Sequence, residues 1–483
     1  MTGQPAPPPW PAPAVNVVPP EREPRPRLLR GSALAATAMI LAAGAVVVAA
    51  APAGLALALT AAGVVGVLLA AGLIPRDGDA RALLGCAVLL ALAPLLRDAG
   101  WVVAVDLMLA FCCAAVALAG DRSPAGVLRG PAWAVGLLPA GVGVVGSDLA
   151  RGLPRTSGRD VAPALRGAVL AATLVGVFGA LFASADRAFA HLAQSALPDA
   201  PDVGGLPGRL LVAAAFAAVI GALVLAEARL RLAGPAPQRP APSRRLTPTE
   251  WIPGLVAVVV LFCAFVAVQL VVLFGGHEHV LETAGLTYAE YAHEGFGQLV
   301  IVTLLVLALL AASWRWVAAE GARRHLLRAL LLVLCACTLV VVASALHRLD
   351  VYVEAFGATR LRVQAATLCA FLGGTVVFGA VAVLLGRAAW LPRAAVLLVA
   401  GTAVAVTVAN PDRWIAERNV DRFERTGQID TYYLGSLSAD AAPALARLPR
   451  EERANAGLVC PARDDGVAGF NAGRAAARRA LDC

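Results

Sequence analysis

The sequence has no lysine: its forty basic residues are all arginine. With abundant Ala, Gly and Pro, this reflects a chain encoded at high GC content rather than a mechanism. Charge of either sign is scarce at 15% of residues, whereas 59% are hydrophobic and apolar runs near twenty residues recur along most of the length. A soluble core has no need of such runs, so the class is all-α, a polytopic transmembrane helix bundle. A net charge of +8 would suggest nucleic acid in a soluble chain. Here the arginines sit in short segments between apolar runs, where they set orientation, and the expected partner is the lipid bilayer with no nucleic acid.

Metal-binding spacings are missing as well. Cys86, Cys112, Cys113, Cys263, Cys335, Cys337 and Cys369 lie inside apolar runs without CxxC spacing and read as small buried hydrophobes. His277 and His279 are two apart and His293 adjoins Glu294, neither of which is HExxH or holds zinc by itself. No metal and no cofactor is expected.

What is present is a regular alternation. Residues 1–30 form a proline-rich arm, with ten prolines in the first twenty-six positions, ending in Arg22, Arg25, Arg27 and Arg30. Apolar runs follow at 31–50, 52–74, 82–96, 102–120, 161–184, 210–228, 252–274, 295–312, 326–345, 361–385 and 391–409. Each is about long enough for a helix to cross some 30 Å of hydrocarbon, giving about 11 spans within a range of 10 to 12. With the N-terminus inside, the inner segments hold 23 arginines, the outer loops six and the segment after the last span eleven. That bias places the N-terminus in the cytoplasm and the tail outside, in a cytoplasmic membrane. Residues 132–145 are apolar but contain Pro139 and three glycines with arginines on both flanks, and are expected to be re-entrant or surface-lying. A proline-rich linker at 233–248 separates a first helix group, 31–232, from a second, 249–410.

The tail, 411–483, is charge-balanced. DRWIAERNVDRFERTG reads as an amphipathic helix stopped at Gly427, further short helices follow near Asp440 and after Pro449, and the last residues read as helical. A domain of about seventy residues often needs a staple, and a Cys460–Cys483 disulfide is expected if the tail is outside.

The most polar loop, 277–298, holds three histidines, four glutamates and no arginine. With the end of the fifth run and the loop before 361 it supplies a candidate outer polar cluster: Asp186, Arg187, Tyr288, Glu290, Tyr291, Glu294, Arg348, Asp350, Arg360 and Arg362. Glu290 and Glu294 share a helical face at i,i+4 and need a compensating cation, which Arg348, Arg360 or Arg362 could supply. A structural ion-pair network is the leading reading, and a bound anionic ligand or lipid headgroup the alternative. Asp106 is the intramembrane acid, a functional candidate by default.

LFASADRAFAHL, TYAEYAHEGFGQLV, LDVYVEAFGATRLRVQ and WIAERNVDRF through IDTYYLGSLSADAAPAL stand in the order of the blocks of the domain-of-unknown-function family numbered 4173, a relative of 4153, and the chain resembles that family over residues 161–448. The resemblance implies a bacterial, often actinobacterial, multi-pass membrane protein of uncharacterised activity, with no catalytic residues to carry over. His293 departs from it where an arginine is expected, and Ala358 where leucine is usual. The leading functional reading is therefore non-enzymatic: an outward polar surface for sensing, binding or assembly, its protein partner left open. A proton-coupled permease and a membrane enzyme acting on a lipid-linked substrate are the alternatives.

Overall fold

The structure is a computed structural model that describes residues 32–48, 51–73, 77–119, 123–152, 206–233, 245–274, 296–458, 460–461 and 465–482. Among them there is no strand, only an isolated bridge between Leu246 and Val317. The membrane part consists of α1 (Ser32–Val46), α2 (Leu55–Ala70), α3 (Gly78–Ala91), the short α4 (Ala93–Leu96), α5 (Gly100–Ala119), α6 (Pro124–Gly152), α7 (Leu206–Ala233), α8 (Pro248–Phe274), α9 (Phe296–Trp316), α10 (Ala322–Phe356), α11 (Arg360–Leu385) and α12 (Leu391–Ala409). Eight of the described helices, α3 and α4 counted as one, are long and apolar enough to cross a membrane, and α1, α2 and α9 contribute shorter apolar stretches. The expected all-α polytopic bundle is what the chain forms.

Lipid-facing and core-facing sides of such helices are both apolar, so amphipathicity does not sort them; small residues do. The first group packs Ala80, Ala87, Ala91, Ala114, Ala115, Ala117 and Ala217 between Leu68, Leu83, Leu90, Ile220 and Leu223. The second packs Leu255, Val306, Leu331, Leu334, Val376 and Val383 around Trp251. Val396, Leu397 and Val404 of α12 lie against the first group.

The segment 132–145 differs from expectation. It lies within α6, a continuous helix of 29 residues that keeps Pro131 and Pro139 inside. Its glycines serve contact rather than interruption: a Cβ on Gly221 of α7 would stand 2.6 Å from the Gly141 carbonyl carbon, and one on Gly141 would stand 2.7 Å from the Ala222 nitrogen. Close backbone approach replaces bulky packing, and neighbouring helices make proline tolerable. Near one end of the bundle Gly44 of α1 abuts Val212 and Phe216 of α7, so these two run antiparallel. The C-terminal part of α1 and the N-terminal part of α7 thus stand at one end, next to the start of α2, where Leu55 and Ala56 meet the tail. The apolar run at 161–184 lies outside the described residues.

After α12 come α13 (Pro411–Thr426), α14 (Thr431–Gly435), a 3₁₀ turn (Ala439–Ala441), α15 (Ala442–Leu445), α16 (Arg450–Asn455) and α17 (Ala472–Ala480). Asn410, in the left-handed region at φ 55°, turns the chain between α12 and α13 and accepts a cap bond from the Arg413 amide. Gly427, at φ 69°, stops α13. Ala416, Val420, Leu434, Ala441, Ala444, Leu445 and Leu448 form the tail's own core. Ile415 is fully buried with Val353 and Ala358, which joins that core to the α10–α11 turn.

Candidate functional site: the tail-capped end of the bundle

Three helix connections meet the tail: 51–54 between α1 and α2, 97–99 between α4 and α5, and 357–359 between α10 and α11. At the last, Gly357 adopts φ 84° and terminates α10, and Thr359 caps α11 by accepting from the Arg362 amide. Asn419 of α13 then bonds the turn as a strand would, its Oδ1 accepting from the Ala358 amide at 3.2 Å while its Nδ2 donates to the Ala358 carbonyl at 2.9 Å. Tyr433 accepts the Arg360 amide at 2.7 Å.

The central group is Asp412, placed in the first turn of α13, where the helix dipole favours an acid. Its side chain is fully buried and accepts four bonds: Nε and Nη2 of Arg360 at 3.0 and 2.6 Å, Trp101 Nε1 at 3.3 Å and the Ser438 amide at 2.9 Å. Burial pushes its carboxyl up, but the Arg360 bond and the Ser438 amide outweigh that and hold it below the usual carboxylate range. Asp440 takes the amides of Asp98 and Ala99 at 2.7 and 3.0 Å. Here burial dominates and the carboxyl lies above its ordinary value, those amides and Arg97 only partly offsetting it. Its other oxygen has no hydrogen-bond partner among the described residues.

At the third contact Arg474 of α17 bonds Asp98 at 2.6 Å, Asp465 at 3.0 Å and the Ala53 carbonyl at 2.9 Å. Asn471 caps α17 with its oxygen and donates to the carbonyls of Pro94 and Arg97. The Leu55 and Ala56 amides, unpaired at the start of α2, donate to Phe470 and Ala468. Arg97 in turn donates to the carbonyls of Thr407 and Val408 at the end of α12. Farther into the bundle, buried Asp106 accepts a hydrogen bond from the Thr407 hydroxyl.

Of the residues proposed from sequence, Arg360 is therefore central, held by Asp412. Arg362 stacks on Tyr352 with 4.2 Å to the ring centre and donates to the Gly357 carbonyl. Asp350 is largely exposed, 4.0 Å from Arg418. Arg348 belongs to the same end of α10. Asp186, Arg187, Tyr288, Glu290, Tyr291, Glu294 and Cys483 lie outside the described residues, and with them the pairing of Glu290 and Glu294 to these arginines. Cys460 is disulfide-bonded, and the seven span cysteines are free. Among the described residues no cluster of His, Cys, Asp or Glu could hold a metal ion.

A family model described as Domain of unknown function (DUF4153) matches residues 84–448. The chain belongs to this family. The match begins in α3 and ends at Leu448 in the tail's core, so it takes in Asp98, Arg360, Asp412 and Asp440 but not Arg474. No curated protein matches the chain, and no solved structure does. The family carries no assigned activity, and the chain is on these grounds an integral membrane protein of uncharacterised activity.

Sequence reasoning missed Asp98, Asp412, Asn419, Asp440 and Arg474. A faint signal existed for Asp412, an acid directly after a Pro at a helix start. Asp148 and Glu227, buried within α6 and α7, were also passed over because they fall near the ends of apolar runs.

Proposed function

We propose that the chain is a non-enzymatic protein of the cytoplasmic membrane whose tail-capped end is a sensing, binding or assembly surface outside the cell. The observation that carries this reading is the Asp412–Arg360 pair with its surroundings. A fully buried carboxylate is spent on holding the tail across the α10–α11 turn and Trp101 of α5, and none of its bonds is left for a substrate. Whatever binds the tail is thereby felt at once by both helix groups. Sidedness is supported by charge: the end opposite the tail carries eleven described arginines, from Arg81 to Arg393, against six at the tail end of the helices. Fusions of a periplasmic-type reporter at Pro449 and Gly234 test it. Activity at Pro449 alone is expected, and activity at Gly234 refutes the orientation.

For the sensing surface, hydrogen exchange on the full chain should show Asp412→Asn loosening amides at 97–99 and 357–363 together. Loosening confined to the tail would refute a coupled surface. A proton-coupled permease is the second reading, favoured by Asp106, buried inside α5 against Thr407 of α12. Proton flux in proteoliposomes abolished by Asp106→Asn would replace the first reading with this one.

A further inference from the structure

At the end opposite the tail, a cavity of about 210 Å³ opens between α9, α10 and α11, lined by Ser313, Trp314, Arg324, Arg328, Leu331 and Gly386 among others. We propose that this cavity binds a phosphate-bearing anion, as the headgroup of an acidic phospholipid or as free phosphate. Two guanidinium groups converge there: a Cβ placed on Gly386 would stand 2.5 Å from Nη2 of Arg328 and 3.2 Å from Nη2 of Arg324. Gly386, at φ 68°, closes α11 in the left-handed region and leaves that space open. The negative end of α11 draws the two arginines but offers only about half a charge against two.

Among the described residues no acid lines the cavity, and neither arginine has an ion pair. The start of α10 adds to the imbalance. Gly321 gives it no side-chain cap, and its first turn has no acid but Arg323 and Arg324, the reverse of what a helix N-terminus favours. Ser313, 8% exposed, lines the cavity with Arg324 and Arg328. Two forked guanidinium groups and a hydroxyl are the donor set that tetrahedral phosphate oxygens accept. Trp314 and Trp316, each nearly half exposed, mark the depth at which headgroups lie.

The test uses the full chain in nanodiscs of phosphatidylcholine, with phosphatidylglycerol added in one arm and inorganic phosphate in another, and reads the unfolding midpoint and the lipid retained in native mass spectra. Stabilisation by one of the two is expected, and which one identifies the source. Arg324→Gln with Arg328→Gln should weaken that binding at least tenfold, while Arg324→Lys with Arg328→Lys, which keeps the charge should the neutral pair fail to fold, should retain part of it. Arg81→Gln, an exposed arginine at the same end but outside the cavity, should leave it intact. The proposal is overturned if neither additive stabilises the wild type, or if the Gln pair binds as the wild type does.

Discussion

Replacing Asp412 with alanine should undock the tail. The substitution removes two bonds to the Arg360 guanidinium and strands the Trp101 indole N–H and the Ser438 amide in a buried place. Breaking a buried ion pair from one side costs about 3 to 5 kcal/mol. Arg360 keeps 31% of its side chain in contact with solvent and so recovers part of its hydration, which puts the expected loss near the lower limit, about 3 kcal/mol. At 1.36 kcal/mol per decade, that is roughly a hundredfold or more in the opening equilibrium. The assay is hydrogen exchange of α13 and α14 amides in detergent-solubilised full chain, because a bundle with a docked tail does not unfold in one step and a single melting temperature would blur the answer. Arg447→Ala is the control: its partners Asp421 and Glu424 are about half exposed, and an exposed pair contributes less than about 1 kcal/mol. If Asp412→Ala speeds exchange no more than Arg447→Ala does, the tail is not held by this pair and the reasoning fails. A double-mutant cycle with Arg360→Ala should return most of the loss as coupling.

Acid should act on the tail in two opposite ways. The Asp440 carboxyl lies above its ordinary value, so docking gains as pH falls from neutral toward the ordinary carboxylate range. Asp412 and Asp465, held below it, contribute above that range and lose the contribution as pH falls through their own values. Exchange protection should therefore rise and then fall on acidification, Asp440→Asn removing only the rise; a steady fall from neutral pH would contradict the assignment. Gly221→Ala should cost about 1 to 3 kcal/mol of overpacking, read as faster hydrogen exchange of α6 and α7 amides, whereas Gly143→Ala, whose added Cβ meets nothing within 4 Å, should not; equal exchange would mean that α6 and α7 do not cross there. Peptide mapping of membrane-extracted protein should find Cys460 joined to Cys483, contributing about 3 kcal/mol to the tail, and recovery of both as free thiols would remove the bond and the outside placement with it.

The sequence announced the helices clearly, because a span must be long and apolar whatever it packs against, and the tail's helices could be read from Gly427 and Pro449 for similar local reasons. It misled at residues 132–145. There Gly141 looks like a breaker when viewed alone and becomes a contact only beside Gly221, eighty positions later. The same limit hid the site. Arg360 stood out as a polar residue at a span end, but its partner Asp412 belongs to a segment that read as an ordinary charged amphipathic helix, and nothing local set Asp98 apart. Pairings of this kind depend on which connections lie side by side at one end of the bundle, and no periodicity encodes that.

The bond from Arg474 to the Ala53 carbonyl joins positions 421 residues apart. A ribosome delivers Ala53 and Asp98 well before Arg474, so during synthesis the first helices stand in the membrane with those groups still hydrated. The clamp can close only after Arg474 has followed. A chain cut short before residue 412 would keep every span yet leave Arg360, the 97–99 amides and the start of α2 unsealed, so a quality-control protease could tell a finished copy from an unfinished one at that end alone.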